Sequence, residues 1–481
     1  MPRLYGDRPD SGRYARVGAD SCEHIHMASL EILERVGIDV HDEKARGILG
    51  DHGAEVNGLR VRIPGYMVER SLRLAPAHMT LCDRYGDAAI RAWGYNTAFG
   101  GGSDCLYVLD HRTGERRKAA LTDVEQAITV MDALSEIDFV MSGFLPSDVD
   151  QELYDVHQME VMLNRTTKPI VFVTPDFEGC VTAVEMCEMV AGGEEAFRRN
   201  PFAACYINVT SGLVANQEAL QKCIYLAEKG LPMLYIPINA AGVNSPTTTA
   251  GCMAALNAGT LLGIVLAQLV REGTPVAVPG WNGGPYNLKT MVGNYALADE
   301  QGVAAAMGKF YDLPVFGLGG ATDSKVLDQQ CAAEAALGLF NAHLSGAHLI
   351  HDCGFMDAGM QGSLQLMAID NELIGWIRAA TSPVQVNEST LALGVIEKLG
   401  PTGNYLAHDH TYKHFRDAHY SELADKRQYE SWVEQGATTM EERASAKVDR
   451  ILKTHEPEPL SSDVRDGLRE IVQREKDRAS N

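Results

Sequence analysis

Positive charge is scarce in this chain of 481 residues, where 42 lysines and arginines stand against 64 aspartates and glutamates. The resulting formal charge of −22 disfavours a surface for phosphate backbones, which requires clustered basic residues. We therefore expect no nucleic-acid partner. The first residues lack the apolar segment of a signal peptide, and we expect no uncharged apolar run long enough to span a bilayer. A soluble cytoplasmic protein without a membrane partner is predicted.

Paired cysteines are also lacking, since the ten cysteines form no C-x-x-C motif and no regular spacing. In a cytoplasmic protein such residues are mostly small buried hydrophobes, and we predict no metal site. Three glycine-rich stretches, at 99–104, 279–284 and 317–322, could instead cradle a phosphate. None matches a P-loop or a dinucleotide fingerprint, so a phosphate-bound cofactor such as flavin stays an alternative.

Short β-rich runs alternate with longer amphipathic segments from about residue 98 onward. Several runs follow a proline and are continuously apolar, as strands buried on both faces are. Eight such runs separated by helices predict an α/β fold, a (β/α)8 TIM barrel, with an open doubly wound sheet as the alternative. The runs are 97–102, 137–144, 168–174, 202–209, 232–238, 275–280, 314–320 and 347–352.

The rest of the chain is assigned around this barrel, which is predicted to span residues 95–394. Residues 1–94 form an N-terminal α+β extension, and residues 395–481 form a charge-rich helical C-terminal extension. Alternating residues around a Thr-Gly turn predict a β-hairpin inserted near 105–119.

The active-site face of such a barrel lies at the carboxyl ends of the strands. Strict alternation along the eighth run points His351 into the mouth, and we predict it as a catalytic residue. A structural hydrogen-bonding role is the alternative. A nucleophilic Cys353, or a zinc site that uses His351 and Cys353, has no activating partner or spaced ligand set to support it.

Aromatic residues dominate the other strand ends, accompanied by a few acidic and amide groups. Aromatic faces suit a cation that forms hydrogen bonds poorly, as a quaternary ammonium group does. Core packing is the alternative for each ring taken alone. The predicted substrate-binding residues are Tyr95, Phe99, Phe144, Asn208, Trp281 (with Asn282), Asp323 (with Ser324) and Phe355.

Six long segments occur in order along the chain: "SLEILERVGIDV", "RVRIPGYMVERSLRLAP", "YVLDHRTGERRKAALTDV", "GGATDSKVLDQQ", "MAIDNELIGWI" and "HTYKHFRDAHY". With them the chain resembles the trimethylamine methyltransferase superfamily, in the branch without pyrrolysine that includes glycine betaine:corrinoid methyltransferases. The resemblance covers nearly the whole chain and implies a (β/α)8 barrel.

The resemblance implies methyl transfer from a quaternary amine to Co(I) of a corrinoid held by a partner protein. Similarity in "GFMDAGMQGS" places Met360, or an immediate neighbour, where the trimethylamine enzymes carry pyrrolysine, and we add Met360 to the substrate site. Glycine betaine is the expected substrate. We also expect a homo-oligomer, and a quaternary-amine binding protein without turnover stays an alternative.

Overall fold

The computed structural model describes residues 14–296, 300 and 302–480. Nineteen strands lie in this part of the chain: β1 (Ile38–Val40), β2 (Glu55–Asn57), β3 (Arg60–Arg62), β4 (Met79–Cys82), β5 (Ala88–Ala92), β6 (Ala98–Gly101), β7 (Tyr107–Leu109), β8 (Arg116–Lys118), β9 (Ile170–Phe172), β10 (Ala203–Val209), β11 (Val214–Ala215), β12 (Met233–Pro237), β13 (Val276–Pro279), β14 (Tyr286–Asn287), β15 (Val292–Gly293), β16 (Val315–Leu318), β17 (Leu349–Cys353), β18 (Phe355–Met356) and β19 (Gln361–Gly362).

Eighteen α-helices lie in the same described residues. They are α1 (Ala19–Glu31), α2 (Glu43–Asp51), α3 (Gly65–Leu74), α4 (Leu121–Ala133), α5 (Tyr154–Arg165), α6 (Phe177–Ala191), α7 (Glu194–Arg199), α8 (Gln217–Lys229), α9 (Thr249–Val270), α10 (Ala305–Phe310), α11 (Gln329–Ser345), α12 (Leu364–Thr381), α13 (Glu388–Leu391), α14 (Leu393–Leu399), α15 (Asp409–His414), α16 (Tyr429–Glu434), α17 (Met440–Thr454) and α18 (Ser462–Ala479).

The central feature of this α/β fold is a seven-stranded parallel sheet in the order β6–β17–β16–β13–β12–β10–β9. These strands coincide with seven of the eight predicted runs, and β17 extends one residue beyond its run. The other run, 137–144, forms isolated parallel bridges, Phe139 with Gly100 of β6, Val140 with Ile170 of β9 and Phe144 with Cys105. The ring of Phe139 lies so close to Gly100 that a Cβ there would stand 2.3 Å from it. The run therefore touches both edge strands without forming a ladder.

Side chains on the central strands alternate between two cores. Ala98, Leu234, Phe316 and Leu349 belong to an inner cluster. Their sequence neighbours, such as Ile350, pack outward against the helices in the larger core. The β4–β5 hairpin adds Met79, Leu81 and Ile90 to the inner cluster, and the N–H of Cys82 donates to Pro201 O, just before β10. The hairpin thus covers the amino ends of the strands.

Local sequence signals begin and end the helices that connect these strands. The side chains of Asp176 and Asp328 accept N–H groups from the first turns of α6 and α11. Gly230 and Gly346 follow α8 and α11 with φ of +68° and +79°, a conformation that favours glycine. Each short glycine connection leads directly into the next strand.

Helix α9 corrects one expectation from the sequence. Its 22 residues, Thr249–Val270, contain no charged side chain, so an apolar run long enough to cross a bilayer does exist. The helix is a core element, because 89% of its apolar window is buried inside the protein. It packs so tightly that a Cβ on Gly263 would lie 2.2 Å from the Tyr235 ring.

The remaining elements surround the sheet. β7 and β8 pair antiparallel in the segment where the sequence predicts a hairpin, and β19 pairs parallel with β7. The C-terminal helices α17 and α18 pack back on the body, α17 on α12 and α4 and α18 on α5 and α6. Arg474 of α18 forms an ion pair with Glu185 of α6 at 2.6 Å.

Arg378 on α12 ties the bridging run to the sheet. Its guanidinium is buried and pairs with Glu136 at 2.7 Å and with Asp138 at 2.5 Å. Asp138 also accepts the N–H of Phe99 on β6. Removal of one partner from a buried pair leaves an uncompensated charge in the interior.

We expect Arg378→Met to lower the free energy of unfolding by about 3–5 kcal/mol, measured by urea denaturation. Arg165→Met is the matched control, because its ion pair with Glu125 is about one-third exposed on both sides and should contribute only about 0–1 kcal/mol. Equal losses in the two variants would contradict the anchoring role of Arg378.

Candidate functional site

Four aromatic rings meet inside the sheet towards the carboxyl ends of its strands. The imidazole of His351 on β17 stacks on Phe316 of β16, with ring centroids 4.1 Å apart. Tyr206 of β10 approaches the same imidazole edge-on at 5.7 Å, and Trp281, just after β13, lies 5.3 Å away. We call these four residues the ring cluster. Trp281 is half-buried and the other three are buried, so the cluster is reached from the carboxyl edge of the sheet.

Hydrogen bonding fixes the orientation of His351. Its Nδ1 lies 2.6 Å from the carbonyl oxygen of Gly317. Because a carbonyl oxygen can only accept, Nδ1 carries the hydrogen of this bond. Nε2 therefore points to the other side of the ring, where Asp352 Oδ1 lies 3.5 Å away.

Asp352 reaches this position through an irregularity in β17. The pairing of β17 with β6 shifts register between Ile350 and Cys353, and Asp352 has φ of +82°. Such a conformation is costly for a residue with a side chain and is concentrated at functional sites. The Asp352 carboxylate is buried, and the phenol of Tyr295 donates a 2.5 Å hydrogen bond to Oδ2.

The surroundings of Asp352 act on the pKa of its carboxyl group in opposite directions. Burial raises the pKa of the Asp352 carboxyl, whereas the neighbouring His351 and the hydrogen bond from Tyr295 lower it. Burial and then the charge of Asp352 raise the pKa of the phenols of Tyr206 and Tyr295. Both phenols are therefore protonated at neutral pH, and Asp352 is the acidic group beside the ring cluster.

A second group of acids lies beside the same edge. The carboxylate of Asp104, which has φ of +65°, accepts hydrogen bonds from Gln158 at 2.9 Å and Ser142 at 3.2 Å. Burial, followed by the charge of Asp176, raises the pKa of the neighbouring Asp155 to about 7. Asp155 Oδ2 is buried without a hydrogen-bond partner among the described residues. This edge of the sheet is thus rich in carboxyl groups.

Several predicted residues lie around the ring cluster. Trp281 and His351 are members, and exposed Asn208 follows Tyr206 by two residues on β10. Asp323 accepts the N–H of Ala296 at 3.3 Å and so holds the segment that carries Tyr295. The buried Phe355 ring lies behind Asp352, where both would contact a Cβ on Gly102.

Three predicted aromatic residues lie apart from the ring cluster. Tyr95 precedes β6 and lies at the amino end of the sheet, with Lys309 Nζ 4.8 Å from its ring centroid. Phe99 faces the helices, between His343 of α11 and Arg378 of α12. The Phe144 ring packs against Gly362 in the outer core. The structure therefore does not bring Tyr95, Phe99 and Phe144 together with His351.

Met360 lies on the rim and not in the ring cluster. Its side chain is 41% exposed, and its carbonyl accepts the N–H of Tyr107. Gly359, the residue before it, lies against the ring of Tyr295. The rim loop is thereby joined to the segment that holds Asp352.

Two alternative hypotheses from the sequence concern a nucleophilic Cys353 and glycines that bind phosphate. Burial, then Asp370 and Asp352, raise the pKa of the Cys353 thiol well above its ordinary value, which disfavours a thiolate nucleophile. A Cβ on Gly102 would lie 2.3 Å from Phe355, and one on Gly283 would lie 1.6 Å from Asn239 O. Close packing against the protein itself accounts for glycine at these two positions. In the described part of the chain, no three His, Cys, Asp or Glu side chains are grouped to hold a metal ion.

The sequence reasoning missed the residues that complete the site: Tyr206, Phe316, Asp352, Tyr295 and Asp104. The alternation of side chains along a strand could have identified Tyr206, because it lies on the same face of β10 as the predicted Asn208. The same rule assigned Asp352 to the face opposite His351, because the register shift in β17 is not visible in the residue pattern.

A cluster of rings around a buried carboxylate, at the carboxyl edge of a parallel sheet, defines an α/β protein with a small-molecule site suited to a cation. The chain belongs to the trimethylamine methyltransferase (MTTB) family, whose model matches residues 8–480.

Individual relatives cover most of the chain. It is 32% identical over 458 residues to the trimethylamine methyltransferase MttB of Desulfitobacterium hafniense, an alignment that covers 94% of this chain and 92% of that protein. It is 28% identical over 461 residues to a glycine betaine methyltransferase of the same species, with 94% and 95% covered. The protein is thus a methyltransferase of the trimethylamine and glycine betaine family.

A solved structure shares the fold. The monomethylamine methyltransferase MtmB of Methanosarcina barkeri matches with a TM-score of 0.52 and 13% identity, over 97% of this chain and 90% of that one. At this identity the likeness concerns the architecture alone.

The raised pKa of Asp155 predicts a pH dependence of stability. Between about pH 4 and pH 7 the folded protein keeps a proton that the unfolded chain has released, so the free energy of unfolding falls as pH rises through this window. Asp155→Asn should remove that decline and stabilise the protein above pH 7 by an amount on the order of a few kcal/mol. Urea denaturation across the window measures it, and a decline of unchanged size in the variant would contradict the assignment.

Proposed function

We propose that this protein transfers a methyl group from a quaternary amine to the Co(I) of a corrinoid carried by a partner protein. The ring cluster with the buried Asp352 carboxylate is the observation that carries this proposal. Aromatic faces attract a methylated ammonium group without hydrogen bonds, and a buried carboxylate compensates its charge. Family membership supplies the reaction class.

The chemistry needs little from the protein beyond placement. A quaternary nitrogen departs as a neutral amine, so no general acid and no protein nucleophile is required. The corrinoid supplies the cobalt nucleophile that accepts the methyl group. The rings of Tyr206, Trp281 and Phe316 desolvate the cation and orient one methyl group towards the carboxyl edge. The imidazole of His351 is a fourth ring beside the cation, and it also favours the ionised form of Asp352.

We further propose glycine betaine as the donor. Relatives named for both trimethylamine and glycine betaine lie at similar identity, so similarity alone does not choose between them. Sequence similarity places Met360, or an immediate neighbour, where the trimethylamine enzymes carry pyrrolysine. The thioether of Met360 accepts hydrogen bonds only weakly. Trimethylamine without its proton would expel a poorer leaving group and would need an activation that this residue does not supply.

Two structural proposals accompany the function. We infer that the single bridges of run 137–144 close the seven strands into a (β/α)8 barrel, so that the ring cluster lies in its mouth. We also propose that residues 1–94 and 395–481 are extensions of this barrel at 95–394. A cytoplasmic location stays a prediction.

Turnover tests the donor. With chemically reduced cobalamin or its corrinoid protein, methyl-Co(III) should accumulate from glycine betaine and not from trimethylamine, which an absorption spectrum measures. Comparable methylation from trimethylamine would refute a quaternary donor. Activity with proline betaine or carnitine alone would correct only the identity of the betaine. Tight binding of a betaine without any methyl-Co(III) would instead indicate a binding protein.

Asp352→Asn tests recognition of the cation. Calorimetry should show glycine betaine binding weakened by about tenfold or more, since a hydrogen-bonded or paired buried charge contributes about 1.5–3 kcal/mol. The wild-type preference for glycine betaine over 3,3-dimethylbutyrate, in which carbon replaces the charged nitrogen, should shrink in the same variant.

Asp357→Asn is the matched control for that variant. Asp357 lies five residues further on and pairs with Arg116 and Lys325 on the rim, away from the ring cluster. It should leave both the affinity and the preference unchanged. Equal effects of Asp352→Asn and Asp357→Asn would show that general charge, and not the buried carboxylate, attracts the ligand.

A further inference from the structure

Helix α12 places a carboxyl group in the protein interior, beside the end of β17. Asp370 is fully buried, and its Oδ2 accepts the N–H of Gly354 at 2.7 Å, one residue after β17 ends. Its Oδ1 is also buried and has no hydrogen-bond partner among the residues that the structure describes. The bond to Gly354 is therefore the interaction that can explain a carboxyl group at this place.

Packing alone does not account for Asp370. Its neighbours along α12, such as Ile369 and Ile374, are buried apolar residues of the larger core, and an apolar side chain would fill the same space without a polar atom. Burial raises the pKa of the Asp370 carboxyl well above its ordinary value, so the interior holds this group at a cost. A buried polar group with one unpaired oxygen requires an explanation, and the Gly354 N–H provides it.

Gly354 is the residue at which the backbone leaves the irregular end of β17. It is buried, and its φ of +89° is a conformation that favours glycine. Its carbonyl accepts the N–H of Ser363 at 2.9 Å, and Ser363 is the N-cap residue of α12. Both backbone polar groups of Gly354 are therefore bonded to the N-terminal part of the same helix, one to Ser363 and one to Asp370.

The position of Gly354 determines where the side chain of Asp352 points. In a regular strand, alternation would turn Asp352 towards the helices. Instead Cys353 occupies that place in the larger core, and Asp352, with φ of +82°, turns towards the ring cluster. A return to regular alternation would move Gly354 away from Asp370 and leave a buried N–H without its partner.

We propose that Asp370 is a positioning residue of the cation site. Its carboxyl group holds Gly354 in the left-handed conformation and thereby keeps the Asp352 carboxylate beside the ring cluster. Asp370 lies on α12, outside the sheet, and acts on the ligand through the backbone and Asp352. This role in binding rests on the proposed function, because it assumes that the ring cluster takes a quaternary amine.

Calorimetry of glycine betaine binding to four variants tests the proposal. Asp370→Ala should weaken binding by about tenfold, as expected for Asp352→Asn, because the carboxylate moves away from the cation. Asp370→Asn should restore nearly the wild-type affinity, since its amide oxygen still accepts the Gly354 N–H. Asp370→Ala combined with Asp352→Asn should bind no more weakly than Asp352→Asn alone, because Asp370 then has no carboxylate left to position.

Glu372→Ala is the matched control on the same helix. Glu372 is buried as well, and its carboxylate accepts the N–H groups of Glu422 and Leu423, outside the site. The variant should lower the urea midpoint of unfolding, as Asp370→Ala should, but leave the affinity for glycine betaine unchanged. Equal losses of affinity in the two variants would show that Asp370 contributes to stability alone.

Two further results of the binding experiment would overturn the positioning role. One is an affinity as low in Asp370→Asn as in Asp370→Ala, and the other is an additional loss in the variant that combines Asp370→Ala with Asp352→Asn. Asp370→Val, which fills most of the space without an acceptor, replaces Asp370→Ala if the cavity prevents folding.

A crystal structure of ligand-free Asp370→Ala separates this role from the proposed function. The Asp352 carboxylate should leave its place beside His351 in the variant, whichever ligand the protein binds. If the wild type binds no quaternary amine, the proposed donor class is wrong, but the displacement of Asp352 still decides the role of Asp370. An Asp352 that keeps its place without the bond from Asp370 to Gly354 would overturn that role.

Discussion

The register shift in β17 brings two consecutive side chains, His351 and Asp352, close together. In a regular strand His351 and Asp352 would point to opposite faces, but the shift turns the carboxylate of Asp352 to within 3.5 Å of the imidazole. Gly102 makes this possible, because a Cβ there would lie 2.4 Å from Asp352 Oδ1. The phenol of Tyr295 then holds the carboxylate of Asp352 through a hydrogen bond to Oδ2. The other elements of the site depend on this one departure from regular geometry.

A buried carboxylate with a strained backbone costs stability unless something compensates its charge. The neighbouring His351 and the hydrogen bond from Tyr295 favour the ionised form of Asp352. Asp104 and Asp155 add carboxyl groups near the same edge, and burial raises the pKa of each. A bound cation would favour the ionised forms of these buried carboxyl groups, so a cationic ligand relieves part of the cost of burying them.

The sequence predicted the sheet better than the site. Seven of the eight runs contain strands because continuous apolar stretches after proline reflect burial on both faces, a local property. His351 faces the interior because alternation is local too. The structure places Tyr95 and Phe99 away from the ring cluster, because nearness to a strand in the sequence does not tell which end or which face of the sheet a ring occupies. Asp352 and Tyr295 depend on a bulge and on a contact between residues 57 positions apart, and neither leaves a periodic signal.

Helix α9 shows the same limit for apolar residues. An uncharged apolar helix fits a bilayer or a protein core equally well by composition, and the 89% burial of its apolar window assigns α9 to the core. What decides between the two environments is whether the rest of the protein provides a complementary face. The sheet provides one for α9, where a Cβ on Gly263 would lie 2.2 Å from the ring of Tyr235 on β12.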